Sequence, residues 1–503
     1  MPLEYKWKAA LVASIAVALS LLDNTIVSIA LPAMKTTFGT DYATITWVGA
    51  AYFLTEAAAL GVAGYIGEWF GTRTVYLLAM VIFTVASILC TFAPSAAILV
   101  VFRAIQGVGA GLLWPVSFAI AYRAFPSVER GRALAVIGVP VLLAPALGPV
   151  VGGYLTTTFG WPAIFLINAP LGVVAFVAAA LVLRRRREDE LPEDESVADR
   201  RFDVWGFVLA MASFTLLISG LTEAGSKGWT NPLVDALLAA GTALLFSFVI
   251  VELRTRYAVL DLQLFRNNTF ARANVLLWIL VAFYYGGVYL IPYFFESVRG
   301  YSAMTSGEIL LGQGIASAVG IALAGTLYNR FGPRPFAVAG AVALVVSTWG
   351  LTGVGIDTSG LQLQPFLLLR GLGIGLTTPA LQNLALAVVN RAALARASSL
   401  VSVTQQVAGA AGLGSLASYL AAETASHTVT LRARAVVSPA TDACRAGSPT
   451  SCLHHQALSL GLDNAFGVML VGYVVCLVLA AIVGTDPTLA GLRSQHAREV
   501  SLT

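Results

Sequence analysis

Four ionisable side chains stand where such groups are rare. Asp23, Glu56 and Arg103 each fall inside a long apolar run, and Arg370 falls inside another. If the runs are helices across a bilayer, a rise of 1.5 Å per residue puts Asp23 roughly 12 Å below the outer boundary, Arg103 about 9 Å and Glu56 about 15 Å. An ionised acid at such depth is costly unless a cation or water attends it, and intramembrane acids mark functional sites by default. A carboxylate whose charge depends on its surroundings can take a proton on one side and release it on the other. The bland alternative for Asp23 is a polar group satisfied within the helix packing. Arginine keeps its charge, so Arg103 needs an acid, carbonyls or water, and Asp23 at similar depth is one candidate partner. Glu56 reads as a second proton site, an anchor for cationic cargo, or an acid hydrogen-bonded within its own bundle. Asp235 and Glu308 are shallower and read as boundary residues. Enzyme chemistry has little support. His427, His454, His455 and His496 lie in a loop or the C-terminal tail, and no run offers a His/Cys metal set, a nucleophile–base pair or a phosphate-binding Gly-Lys loop.

The elements that must position these groups are fourteen apolar runs, near 9–31, 46–66, 74–93, 97–122, 133–156, 163–183, 204–222, 233–252, 273–296, 306–328, 336–354, 363–388, 398–421 and 463–484. Each has roughly the 17–25 residues that cross a bilayer as a helix. Charged residues make up 11% of the 503, and the mean hydropathy is +0.81. A soluble fold could not hide that much apolar surface. Of the 30 Lys and Arg, 22 lie in the N-terminal tail, the even-numbered connections and the C-terminal tail, six lie in odd-numbered connections, and Arg103 and Arg370 lie inside spans. The positive-inside rule then expects both termini in the cytoplasm of a plasma-membrane protein. The net charge of +4 reflects this topology, not nucleic-acid binding. The first run is too long for a signal core and lacks a convincing cleavage site, so it is expected to remain as a span.

Two segment pairs repeat. Gly64–Arg73, with Glu68 and Gly71, aligns with Gly325–Arg334, with Arg330 and Gly332; Gly107–Pro115 aligns with Gly371–Pro379, at offsets of 261 and 264 residues. Helix 2 thus corresponds to helix 10 and helix 4 to helix 12. The expected fold is all-α: two six-helix bundles in parallel repeat with two inserted helices. The expected boundaries are an N-terminal bundle at 1–183, linkers with the two extra helices at 184–271, a C-terminal bundle at 272–484 with a long outer loop at 422–462, and a tail at 485–503. Duplicated bundles with a central site are a transporter architecture, because one half can rock against the other.

With these motifs in hand, the chain resembles the fourteen-helix branch of the drug:proton antiporters in the major facilitator superfamily. The resemblance rests on Leu22–Pro32 in helix 1, the Gly64–Arg73 loop, Arg103–Gly111 in helix 4 and Gly148–Gly153 in helix 5. It implies that Asp23 serves proton or cationic-substrate coupling and that Arg103 takes part in proton transfer; a structural arginine held by carbonyls is the alternative. Arg370 sits one helical turn from the repeat equivalent of Arg103, and its role is open. The resemblance also reads the helix 5 segment as a mark of antiport, hence export. Small residues admit a close neighbour and prolines bend the helix, so Gly138, Pro145, Gly148, Pro149, Gly152 and Gly153 form the expected seam between halves. A merely packed Gly/Pro helix is the rival. The gating loop departs from the family pattern: Glu68 stands for Asp, Trp69 for Arg and Thr72 for a basic residue, which leaves Arg73 and puts the usual latch in doubt. Arg130 and Arg132 could substitute.

Helix 9 is rich in aromatic residues. Tyr285 and Tyr289 share a face and are expected to border a central cavity, where rings suit hydrophobic, flat or cationic ligands. Tyr293, Phe294 and Phe295 read as an interfacial aromatic belt. Trp114, Gln313, Gln382, Asn383, Gln405 and Gln406 are further cavity candidates, although the Gln residues could equally form interhelical pairs. Arg184 to Arg187 should sit near anionic lipid heads. Cys444 and Cys452, in the outer loop, are expected to form a disulfide; a surface metal site with His454 and His455 is the rival. The expected function is export of amphipathic or cationic small molecules, driven by protons and needing no other cofactor, by a monomer in the membrane lipid. A lipid or metabolite exporter on the same scaffold, or a sensor that no longer cycles, is the alternative.

Overall fold

In a computed structural model, residues 4–125, 144, 147–183, 203–255, 262–353, 358–389, 394–437 and 449–482 are described. Among them fourteen helical spans follow one another: α1 (Tyr5–Phe38), α2 (Tyr42–Phe70), α3 (Thr72–Thr91), α4 (Ala96–Ala124), α5 (147–159), α6 (Ala163–Leu166 and Asn168–Val182), α7 (Val204–Lys227), α8 (Pro232–Arg254), α9 (Asn268–Tyr293), α10 (Ala303–Phe331), α11 (Pro333–Leu351), α12 (Gly360–Ala387), α13 (Leu394–Val437) and α14 (Pro449–Ile482). No strand occurs among the described residues. Eleven of the spans are long and apolar enough to cross a membrane. Only 147–159 of α5 is described in full, and α12 and α13 are diluted by polar residues. The face where α1 begins is here the proximal face, and the face where it ends is the distal face.

Helix starts carry their own caps. Asp41 accepts from Thr44 N at 2.6 Å before α2, and Ser95 from Ile98 N at 3.3 Å before α4. Ser302 accepts from Thr305 N at 3.1 Å, and Ser359 with Gln362 forms a capping box before α12. Each side chain satisfies a backbone donor that the helix leaves open. Exposed apolar residues such as Leu78, Val101, Val174, Phe246, Val346 and Val471 form the lipid-facing surface.

The repeat is built into the packing. A Cβ on Gly107 or Gly111 would run into the α2 backbone, and one on Gly109 would sit 2.7 Å from Phe83 N of α3. On the other side, Gly371 and Gly375 face the α10 backbone, and Gly373 lies against Leu344 and Gly340 of α11. The glycine triplet of α4 and that of α12 therefore hold the same pair of neighbours in each half. The two short turns match as well. Gly71 and Gly332 end α2 and α10 at φ of 79° and 80°, a conformation that glycine adopts without strain.

Arg73 does not reach across to a neighbouring loop. Its Nε donates to Leu183 O at 2.8 Å and its Nη2 to Ala180 O at 2.9 Å, closing the C-terminus of α6. Charge-assisted bonds to the last carbonyls of a helix stabilise it. Arg73→Ala is expected to lower stability by about 1–2 kcal/mol, read as a lower temperature for loss of the monodisperse peak in detergent, with α6 loosening first in hydrogen exchange. Unchanged exchange over 176–183 would remove this role. Arg330 lies against the Phe331 ring at 5.3 Å, and Arg334 is exposed. Gly64 is described only as backbone of α2; the side chain of Glu68, and residues 130–132 with Arg130 and Arg132, lie outside the described residues.

One expectation here needs correction. The outer loop expected at 422–462 is mostly helix: α13 continues to Val437 and α14 begins at Pro449. Residues 422–437 hold no Gly or Pro to stop the helix, so it outlasts the apolar run. Asn464 of α14 donates to Glu423 at 2.7 Å and lies 3.1 Å from His427, tying the two extensions together. Cys444 and the side chain of Cys452 lie outside the described residues, as do 184–202 and 483–503. The extra pair α7–α8 lies beside the bundles, with α7 packed on both α2 and α13.

Candidate functional site

Asp23 sits at a node where five helices meet. It is 1% exposed, and Arg103, Gln106 and Asn168 are fully buried. Arg103 Nη1 donates to Asp23 Oδ2 at 2.5 Å and to Gln106 Oε1 at 2.8 Å. The other carboxylate oxygen accepts from Gln106 Nε2 at 2.9 Å and Asn168 Nδ2 at 2.7 Å. Asn168 Nδ2 also donates to Ser87 Oγ at 3.0 Å, and Ser87 Oγ to Phe165 O at 2.9 Å. Arg103 Nε donates to Val48 O at 3.1 Å, and its guanidinium lies over the Tyr52 ring at 4.1 Å. Charge and hydrogen bonds are thus matched around the acid, which a buried pair requires to offset desolvation. Arg103 Nη2 and Asn168 Oδ1 have no hydrogen-bond partner. The break between the two pieces of α6 turns Asn168 into this node.

Of the five side chains in the node, sequence reasoning singled out Asp23 and Arg103 and missed Ser87, Gln106 and Asn168. Gln106 lies in the quoted helix 4 motif, three residues after Arg103, and that spacing was the available signal. Glu56 lies one turn beyond Tyr52 on α2, is 6% exposed, and its Oε2 has no hydrogen-bond partner.

The α2 segment behind the node faces the other half. A Cβ on Gly49 would meet the Tyr289 hydroxyl at 2.6 Å, and Phe53 packs edge-on against Tyr285 at 4.6 Å. Nearer the distal face, Tyr42 lies on Tyr293 at 3.9 Å between centroids, with Lys35 Nζ 5.4 Å from the Tyr293 ring. Helix α5 is clamped twice. Gly148 and Gly152 face Thr25 and Ile26 of α1, whereas Gly153 faces the Ala303 carbonyl and Met304 Cα of α10. Gly307 returns the contact on Pro149, and Met304 N donates to Thr157 Oγ1 at 3.0 Å. Together these contacts hold the halves closed at the distal face. Gly138 and Pro145 lie outside the described residues.

A cavity of about 30 Å³, large enough for a water or two, lies between the halves. Thr25 and Ser28 of α1 and Pro149 of α5 line one side; Tyr284, Gly287, Gln313 and Arg370 are among the residues lining the other. Gln313 is among these lining residues. Tyr285 and Tyr289 are not. Tyr289 is 1% exposed and packed on Gly49, and Tyr285 packs on Phe53 and Gly409, so in this conformation both are interlocking residues rather than cavity lining. Tyr284 takes the cavity position, a neighbouring face of α9. Tyr293, Phe294 and Phe295 are at most 3% exposed and so form no interfacial belt. Gln382 Nε2 donates to Gln405 Oε1 at 3.1 Å, the interhelical pair that was the alternative reading. Trp114 packs on Phe118 at 5.6 Å, Asn383 is exposed, Gln406 is half-buried, and none of these lines the cavity.

A profile of the Major Facilitator Superfamily matches residues 13–413. The chain belongs to that superfamily. It is 33% identical over 398 residues to the multidrug resistance protein B homolog of Mycobacterium tuberculosis, covering 78% of this chain and 72% of the relative. It is 30% identical over 368 residues to the tetracenomycin C resistance and export protein of Streptomyces glaucescens, covering 73% and 67%. A solved bacterial homolog of the human lysosomal transporter Spinster, in an inward-facing and unoccupied conformation, superposes with a TM-score of 0.66 at 15% identity, covering 96% of this chain and 98% of that one. The chain is thus a multi-pass membrane transporter for small molecules and not an enzyme.

Proposed function

We propose that this transporter exports amphipathic small molecules, drugs among them, in exchange for protons, across the plasma membrane with its proximal face in the cytoplasm. The resistance and export functions in the relatives' names support the direction and the cargo. The basic residues of the connections support the orientation. The observation that carries the coupling is the position of the Asp23–Arg103 pair. Arg103 grips the carbonyl of Val48 and lies on Tyr52, and the same stretch of α2 presents Gly49 and Phe53 to the opposite half. Asp23 shares α1 with Thr25 and Ser28, which line the cavity. A proton on Asp23 removes the charge that Arg103, Gln106 and Asn168 are arranged to meet, and so loosens α1 and α2 where they touch the other half. Deprotonation draws them back. Alternating access then follows from which protonation state each arrangement favours.

Purified protein in liposomes with an acidic lumen is expected to accumulate ethidium against its gradient. A protonophore should reduce the accumulation to the level of empty liposomes. Each 100 mV of potential supplies about 2.3 kcal/mol per charge moved. Ethidium uptake that ignores both the gradient and the protonophore would discard proton coupling.

A further inference from the structure

The two halves treat their buried arginines differently. Arg103 is matched by a carboxylate. Arg370, fully buried in α12, donates from Nη2 to Tyr284 O at 2.8 Å, and its guanidinium lies 4.8 Å from the Tyr284 ring. Its Nε and Nη1 have no hydrogen-bond partner, and no carboxylate pairs with it among the described residues. Arginine cannot shed its charge, and a buried charge without a counter-charge is unfavourable. Yet the surroundings are shaped to keep it. A Cβ on Gly287 would run into Arg370, so that position holds space open for the guanidinium. Arg370 also lines the cavity between the halves, beside Gln313, whose Oε1 is itself without a partner.

We propose that Arg370 and Gln313 form the subsite for an acidic oxygen of the cargo, a carboxylate or an ionised phenol or enol. Its Nε and Nη1 carry unbonded N–H groups that point to different edges of the guanidinium, and either edge suits such an oxygen. The Gln313 oxygen can accept from an N–H or O–H beside the acid. The cavity admits a group of that size, and the apolar Val288, Ile291 and Leu310 line it next to the polar pair. Thr25, Ser28 and Pro149 from the N-terminal half complete the wall, so an acid seated there touches both halves. An amphipathic molecule that carries an acid is thereby added to the cargo that the centre can hold. This inference rests on the export reading above and refines its substrate class.

The test uses a matched pair of probes, a fluorescent quinolone carboxylate and its decarboxylated analogue, with binding read by fluorescence titration of the purified full chain. The unaltered protein is expected to bind the carboxylate about tenfold more tightly. Arg370→Gln should erase that preference while leaving the decarboxylated analogue within about twofold. Arg370→Lys, which keeps the charge without the fork, should retain part of the preference and guards against a folding failure of the first variant. Equal binding of both probes by the unaltered protein would overturn the proposal. So would a uniform loss of both probes in Arg370→Gln and Arg370→Lys, or failure of both probes to bind. The liposome assay with ethidium is separate. Ethidium export without acid preference removes this subsite and spares the export reading; acid preference without export does the reverse.

Discussion

Asp23→Ala is expected to abolish uphill export and to destabilise the protein by about 3–5 kcal/mol, because it leaves Arg103 buried without its counter-charge. The guanidinium would retain Gln106, the Val48 carbonyl and the Tyr52 ring, none of which carries a negative charge. Asp23→Asn preserves an oxygen that can accept from Arg103 and should cost less, about 1–3 kcal/mol. It too lacks a titratable group. At 100 mV the loss of one coupled charge, about 2.3 kcal/mol, corresponds to a roughly 50-fold lower accumulation ratio, whereas downhill flux of the same probe should survive. The double variant Asp23→Leu/Arg103→Met should recover most of the stability and none of the coupling, since an apolar pair of similar volume can replace a buried ion pair. Thermal unfolding in detergent and liposome transport measure the two effects separately. Normal uphill export by Asp23→Asn would dismiss Asp23 as the proton carrier.

Gly153→Val should open the distal face. The new side chain would meet the Ala303 carbonyl and the Met304 Cα at 2.8 Å, which are backbone atoms of α10 and cannot swing away. The strain falls between the halves, so separating them relieves it. Overpacking of this kind costs about 1–3 kcal/mol, enough to shift the balance between two arrangements by about 5- to 150-fold. Val288→Cys, in a background with Cys444 and Cys452 replaced by Ser, reports on the cavity. Its labelling by a membrane-impermeant thiol reagent from the distal side should rise about tenfold or more, and export should fall with it. Gly152→Val supplies the contrast. Its neighbours are Ile26 atoms of α1 in the same half, so it should lower stability without raising distal labelling. Equal labelling of the Gly153 variant and its parent would show that this contact does not hold the face shut.

Much of the fold was legible because the chain states it twice. The glycines of 107–111 and 371–375 fix which helices can approach, and the structure uses each for the same neighbour in both halves. The pairing of Asp23 with Arg103 was within reach of sequence reasoning because both charges stood at similar depth in oil. The amides that complete the node were not. Asn168 arrives from α6, 145 positions away from Asp23, and an amide in a span carries no mark that separates ligand from packing. The aromatic face of α9 was misjudged for a related reason. That helix is buried on most of its circumference, so the pattern sets no rotational phase, and one residue of difference, Tyr284 for Tyr285, is about 100° around the axis. Tyr293 to Phe295 looked like interface anchors because they end an apolar run; Tyr42 and the π-helical turn at Phe294–Val298 place them inside instead. The boundary at 422 failed because hydropathy marks where oil stops, and a helix with no Gly or Pro to end it continues past that point.

The hairpin of α7 and α8 gives the molecule unequal sides. Thr222 and Ile218 of α7 press on Gly414 of α13, and α7 also meets α2, so one of the two lateral crevices between the halves carries a fence. The crevice between α5 and α10 has no such fence among the described helices. Any molecule that approaches the centre from the acyl chains would thus meet a helical fence on one flank and none among the described helices on the other.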